Sequence, residues 1–178
     1  MRAFIAITIP QELLERLEEL QKTFFDVGTI TFVKKEHMHL TLKFFRDVSE
    51  QHIGIIKERL RRVNHLPFEI ALHELGVFPD EHRPRVIWVG MKSGELSTLQ
   101  EKIDKALEEH FAPEERFHAH LTLGRIKHLS DVIKFKELLQ RKPSGGFLVK
   151  EFSLIQSIPH KDGYVYIVLE NYSLSPSL

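Results

Sequence analysis

No cysteine occurs among the 178 residues, and its absence removes disulfides, thiolate metal sites and cysteine nucleophiles together. Nor does either sign of charge prevail, because 25 lysines and arginines balance 25 aspartates and glutamates. No global field therefore draws the chain to nucleic acid or to a membrane surface, and any polyanion site has to be a local patch. Long hydrophobic runs are missing too. The opening MRAFIAITIP is apolar for too few residues to act as a signal or membrane segment, and no cleavage pattern follows it. A cytoplasmic location is expected on that basis. No stretch reads as low-complexity or as a linker. Histidine is what the chain has in quantity, eleven in all, and its proton exchanges near neutral pH. A hydrophobic fraction of 42% and a charged fraction of 28% otherwise fit a soluble chain with a real core.

Apolar periodicity predicts strands over 2–9, 30–34, 37–45, 67–78, 85–91, 119–127, 146–158 and 163–174. It predicts helices after Pro10, from Ser49 to about Val63, over 96–111 and over 131–141. Leu13, Leu14, Leu17, Leu20 and Phe24 share one face of the first helix, and Ser49 is a suitable N-cap for the second. The order β-α-β-β-α-β-β-α-β-α-β-β argues for an α+β protein with antiparallel sheets covered on one face by helices. Residues 1–178 are expected to form a single two-lobed domain.

One string occurs twice. HMHLTLKFF (37–45) and FHAHLTLGR (117–125) share H-x-H-L-T-L, with His120 following His39 by 81 positions (120 − 39). A repeat that long is no solenoid unit and suits a duplication into two lobes. Because strand side chains alternate, His39 and Thr41 face one way and Leu40 and Leu42 the other, and His120 and Thr122 stand likewise against Leu121 and Leu123. Each strand thus has an apolar face for the core and a face of imidazole and hydroxyl. If the lobes are related by an approximate two-fold axis, both polar faces line one central cleft. One imidazole can then take a proton from attacking water while the other gives one to a departing oxygen. The hydroxyls can donate to phosphate oxygens as negative charge builds.

The paired H-x-T-x strands resemble the signature of the 2H phosphoesterase superfamily. More narrowly, the chain is similar to its bacterial and archaeal RNA 2′,3′-cyclic phosphodiesterases, long called 2′-5′ RNA ligases. RAFIAITIP is similar to the opening strand of that family, HLTLKFF-RDV to its first motif region, FP…RPRVIWVG to its middle and FHAHLTLGRIK to its second motif. The family usually has glycine in a segment like LKFLG where this chain has Phe45-Arg46, a departure that touches the local turn. The resemblance implies two pseudo-symmetric lobes, each an antiparallel sheet flanked by helices, around a central cleft. It implies hydrolysis of RNA ends or nucleotides bearing a 2′,3′-cyclic phosphate to a 2′-phosphomonoester, with no cofactor and no metal. It calls for neither a membrane nor an obligate protein partner. By the same resemblance His39 is the proton donor, His120 the proton acceptor, Thr41 and Thr122 hold the phosphate, and Arg125 of the pattern H-x-T-x-x-R binds substrate.

Other residues carry weaker expectations. His37 and His118 share strand parity with His39 and His120 and are expected at the rim of the cleft. Lys43 falls on the His39 face, within reach of RNA phosphate. Phe45 and Tyr164 are candidates to stack on a base, whereas Trp88 in RVIWVGM is expected in the core. The remaining histidines have no partner motif. Three alternatives stay open: RNA ligation through the same site run in reverse, a metal-dependent phosphodiesterase, and a non-catalytic RNA-binding module. Against the metal site, neither motif contains a carboxylate, and threonine recurs where metal binding would not need it. Against the binding module, the chain has neither a basic footprint nor an aromatic-rich RNA-binding motif.

Overall fold

The apolar run at the amino terminus becomes an inner strand of the smaller of two sheets. In the computed structural model, which describes residues 1–161 and 163–175, the elements in chain order are β1 (Arg2–Thr8), α1 (Gln11–Lys22), β2 (Gly28–Phe32), β3 (His39–Phe45), α2 (Glu50–Leu60), β4 (Phe68–Phe78), β5 (Val86–Lys92), α3 (Leu96–Leu107), β6 (His120–Leu129), α4 (Val132–Leu139), β7 (Gly146–Val149), β8 (Glu151–His160) and β9 (Gly163–Ser173). A 3-10 turn at Lys35–His37 precedes β3. The strands form a four-stranded sheet in the order β3-β1-β8-β9 and a five-stranded sheet in the order β2-β6-β5-β4-β7. Every pairing is antiparallel. The molecule is thus the α+β fold that the element order implies, in the two lobes that the repeat suggests.

The lobes are not the two halves of the sequence. β4 follows β3 along the chain yet pairs with β5 in the opposite sheet, and β8 follows β6 yet pairs with β1. Helices cross over as well, since α1 packs on β6 and α3 on β3. Each half of the chain therefore completes the sheet of the other.

Residues 146–158, expected as one strand, are two. Gly146–Val149 pairs with β4, and after Lys150 the chain enters β8, which pairs with β1 and β9 in the other sheet. Both pieces are apolar, so periodicity alone cannot reveal that the chain changes sheets between them.

β1 is buried on both faces, which explains its unbroken apolar run. Ala3, Ile5 and Ile7 join the main core with Leu40, Leu42, Leu121, Leu123 and the inner faces of the helices, while Phe4 and Ala6 join Ile155 and Tyr166 on the other side. At the helix starts, Ser49 accepts a hydrogen bond from the His52 amide at 3.2 Å and Asp131 from the Lys134 amide at 2.9 Å. These caps satisfy amides that the first turn leaves unpaired. Phe45-Arg46, where glycine was expected, turns without strain: among the described residues no non-glycine residue has a positive φ.

Candidate active site

The two H-x-T strands share a local irregularity that decides which side chains meet. Along β3, Thr41 stands opposite Ala6, but Lys43 stands opposite Ile5, so one extra residue is inserted at Leu42. Along β6, Thr122 stands opposite Trp88, but Gly124 stands opposite Ile87, so the insertion recurs at Leu123. Such a bulge reverses the alternation of side chains downstream of it. Arg125 lies five positions after His120 (125 − 120), and in a regular strand an odd spacing would put it on the opposite face. The bulge returns it to the face of His120 and Thr122. In β3 the corresponding position is Phe44.

The same reversal removes Lys43 from the cleft, contrary to the parity expectation. Only 3% exposed, it turns behind the sheet and donates to Asp104 at 2.5 Å and to the Ala112 carbonyl at 2.7 Å. Asp104 also accepts from Gln100 at 2.7 Å and from the Glu114 amide at 2.8 Å. Phe45, considered as a base-stacking residue, is likewise buried, 4.9 Å from the Phe111 ring. Phe44 takes its place in the cleft.

A cavity of about 310 Å³ brings together His39, Thr41, His120, Thr122 and Arg125, with Arg2, Phe4, His37, Phe44, Tyr164 and Tyr166 among its other walls. The two polar strand faces thus meet, as the repeat predicts. No described residue lining this cavity is a carboxylate. Among the described residues no three His, Asp or Glu side chains gather as a metal site would require.

Both histidines are held in the same way. His39 Nδ1 lies 2.8 Å from the His37 carbonyl oxygen and His120 Nδ1 lies 2.7 Å from the His118 carbonyl oxygen. A carbonyl only accepts, so each Nδ1 carries a hydrogen and donates it. In the neutral ring Nε2 is then the basic nitrogen. It is therefore the backbone of His37 and His118 that orients the rings. Neither residue lies in a strand: His37 closes the 3-10 turn and His118 precedes β6. Of the two imidazoles expected at the rim, His37 lines the cavity and His118 does not.

Aromatic rings, which periodicity did not single out, complete the seats. His39 stacks on Phe4 with centroids 4.4 Å apart and meets the Tyr166 edge at 5.3 Å. His120 packs against Phe78 at 5.0 Å and Trp88 at 6.3 Å. Trp88 is buried, as expected, and crosses over Gly76, where an added Cβ would overlap the indole. The signal that marks Phe4 is its parity with Arg2 and Ala6 on β1, which gives that strand a second buried face.

Burial disfavours charge on both rings. It pulls His39 down to about 4, against a partial lift from the bond to the His37 carbonyl and with a further lowering from the His37 imidazole. Burial lowers His120 as well, again opposed by the bond to the His118 carbonyl. The phenol of Tyr166 is raised chiefly by burial, with Arg125 and Arg2 pulling the other way. Both guanidiniums thus act on the space beside Tyr166.

Two sheets closing on one cavity, each bringing a strand of identical motif, define the class of 2H phosphoesterases. Within that class the chain belongs to the LigT like phosphoesterase family, whose sequence profile matches residues 7–88 and again residues 89–166. Among its relatives, a protein of Archaeoglobus fulgidus named RNA 2′,3′-cyclic phosphodiesterase is 33% identical over 169 residues, spanning 93% of this chain and 96% of the relative. One of Thermotoga maritima with the same name is 35% identical over 176 residues, spanning 95% and 93%. Among solved structures, TT0787 of Thermus thermophilus superimposes with a TM-score of 0.83 at 28% identity, over 98% of both chains. Escherichia coli LigT complexed with 3′-AMP gives 0.81 at 25% identity, also over 98% of both.

Proposed function

We propose that the protein hydrolyses RNA 2′,3′-cyclic phosphate ends to 2′-phosphomonoesters by metal-independent general acid–base catalysis. The observation that carries this reading is the meeting, in one cavity without a carboxylate among its described walls, of two imidazoles fixed in the same tautomer beside two threonine hydroxyls. The names of the relatives support the substrate.

In this mechanism His120 Nε2 takes a proton from water as its oxygen attacks phosphorus. The bond from phosphorus to the 3′-oxygen breaks, and His39, protonated on both nitrogens, gives its Nε2 proton to that oxygen. Thr41 and Thr122 donate to the non-bridging oxygens, and Arg125 offsets the charge that accumulates on them. The product carries a 2′-phosphate and a 3′-hydroxyl.

The deciding experiment offers an oligoribonucleotide with a 2′,3′-cyclic phosphate to the wild type, His39→Ala and His120→Ala in excess EDTA. Opening to a 2′-phosphate in the wild type, with losses of about 10²-fold or more in each variant, is the expected result. Activity abolished by EDTA would replace the mechanism with a metal-assisted one. Full activity in either variant would remove that histidine from the chemistry.

A further inference from the structure

Beyond His39 the cleft does not end. Phe4 lies 4.4 Å from the His39 ring with an interplanar angle of 21°, and Phe44 continues the series at 6.5 Å and 17°. The Arg2 guanidinium follows, 5.5 Å from the Phe44 centroid and 5.2 Å from that of Tyr164. Arg2 also donates to the Tyr164 hydroxyl at 2.9 Å, which fixes its plane. Five planar groups from β1, β3 and β9 thus form one row along the face of the four-stranded sheet, starting at an imidazole of the cleft.

The outer members of the row are open. Phe44 is 39% exposed and Tyr164 40% exposed, although aromatic rings are normally covered where they serve packing alone. No carboxylate among the described walls of the cavity opposes Arg2 and Arg125. An exposed sheet face bearing aromatic rings and a guanidinium, with no carboxylate among the described walls, is the chemistry by which single-stranded RNA is held: bases stack on the rings and phosphates meet the cations.

We infer that the Phe44–Arg2–Tyr164 row is a binding track for the nucleotides preceding the cyclic phosphate, so that the preferred substrate is a single-stranded RNA end. The inference rests on the reading of the His39–His120 cleft as the phosphate site. A cyclic phosphate closes the terminal ribose, so every other nucleotide of the substrate lies on its 5′ side. The row provides a surface for them in one direction from His39. The duplicated motif does not provide it twice, because the position matching Phe44 is Arg125.

The test compares 2′,3′-cyclic CMP with a tetraribonucleotide ending in the same cyclic nucleotide, in the wild type and in Phe44→Ala, Tyr164→Ala and Tyr164→Phe. Wild-type kcat/KM is expected to rise at least about fivefold with the longer substrate, the lower end of base–aromatic stacking. The ratio between the two substrates should fall toward one in both alanine variants and be largely restored by Tyr164→Phe, which keeps the ring. A length dependence that is absent, or that survives both alanine variants, would overturn the track. Fluorescence anisotropy of a labelled tetraribonucleotide ending in a 2′-phosphate reads the track without turnover. Weaker binding in Tyr164→Ala supports the track even if the chemistry assigned to the cleft fails, and unchanged binding overturns it.

Discussion

At the scale of single residues, the proposed mechanism depends on where two protons sit. His39 is held at about 4 and His120 below its ordinary value, so both rings are neutral in the free protein at pH 7. In kcat/KM the acid limb follows protonation of the base and the alkaline limb deprotonation of the acid. The optimum for kcat/KM is therefore expected below the unperturbed histidine value of roughly 6.5, where the sequence alone would place it. A bound phosphodiester carries a negative charge that favours both imidazolium forms, so the kcat optimum should lie at higher pH. Coincident profiles would contradict this. Stability follows the same protons. Between about pH 6.5 and 4 the unfolded chain binds a proton at position 39 that the folded chain refuses. Stability is thus fully present above 6.5 and falls as the pH drops toward 4. Urea midpoints at pH 7, 5.5 and 4.5 should show a shallower decline in His39→Leu than in the wild type.

At the scale of elements, the matched bulges in β3 and β6 decide which side chains of the repeated string reach the shared cavity. Arg125 reaches the cleft only because Leu123 is inserted ahead of it, and Arg125→Ala is expected to lower kcat/KM by about 10²-fold. Gly124 stands at the bulge with its missing Cβ 2.9 Å from Ile30 Cγ2 and 3.2 Å from Phe32 Cδ1. Gly124→Ala should overpack that contact and cost about 1–3 kcal/mol in denaturant unfolding. Element types, the capping Ser49 and the meeting of both H-x-T faces were legible in the sequence because each follows from local periodicity or from the repeat. The fates of Lys43, Phe44 and Phe45 were not, since a bulge is a relation between two strands and leaves no periodic trace in one. The five-residue spacing from His120 to Arg125 was the available hint, as was a glycine directly before the arginine. The change of sheet at Lys150 was hidden for a similar reason: which neighbour a strand chooses is settled far away along the chain.

At the scale of the whole molecule, the buried Lys43–Asp104 pair ties the strand of His39 to the helix behind it. Lys43 lies on β3, and its partners are Asp104 of α3 and the carbonyl of Ala112 in the segment after that helix. Removing one partner strands a buried charge, so Lys43→Met is expected to cost about 3–5 kcal/mol. Lys43→Met with Asp104→Asn should recover at least half of that loss, because the asparagine oxygen can still accept from the Glu114 amide. Equal unfolding midpoints for the single and double variants would show that the loss came from packing instead.

The crossing of β4 and β8 between the sheets also bears on how the molecule can be divided. A break in the turn between β4 and β5, giving fragments 1–81 and 82–178, leaves each piece with strands whose partners lie on the other. Co-expressed fragments should reassemble, and either alone should not. The two halves that match one sequence profile are therefore not separable parts. Because each lends strands to the other's sheet, neither can be removed or exchanged alone without unpairing the other.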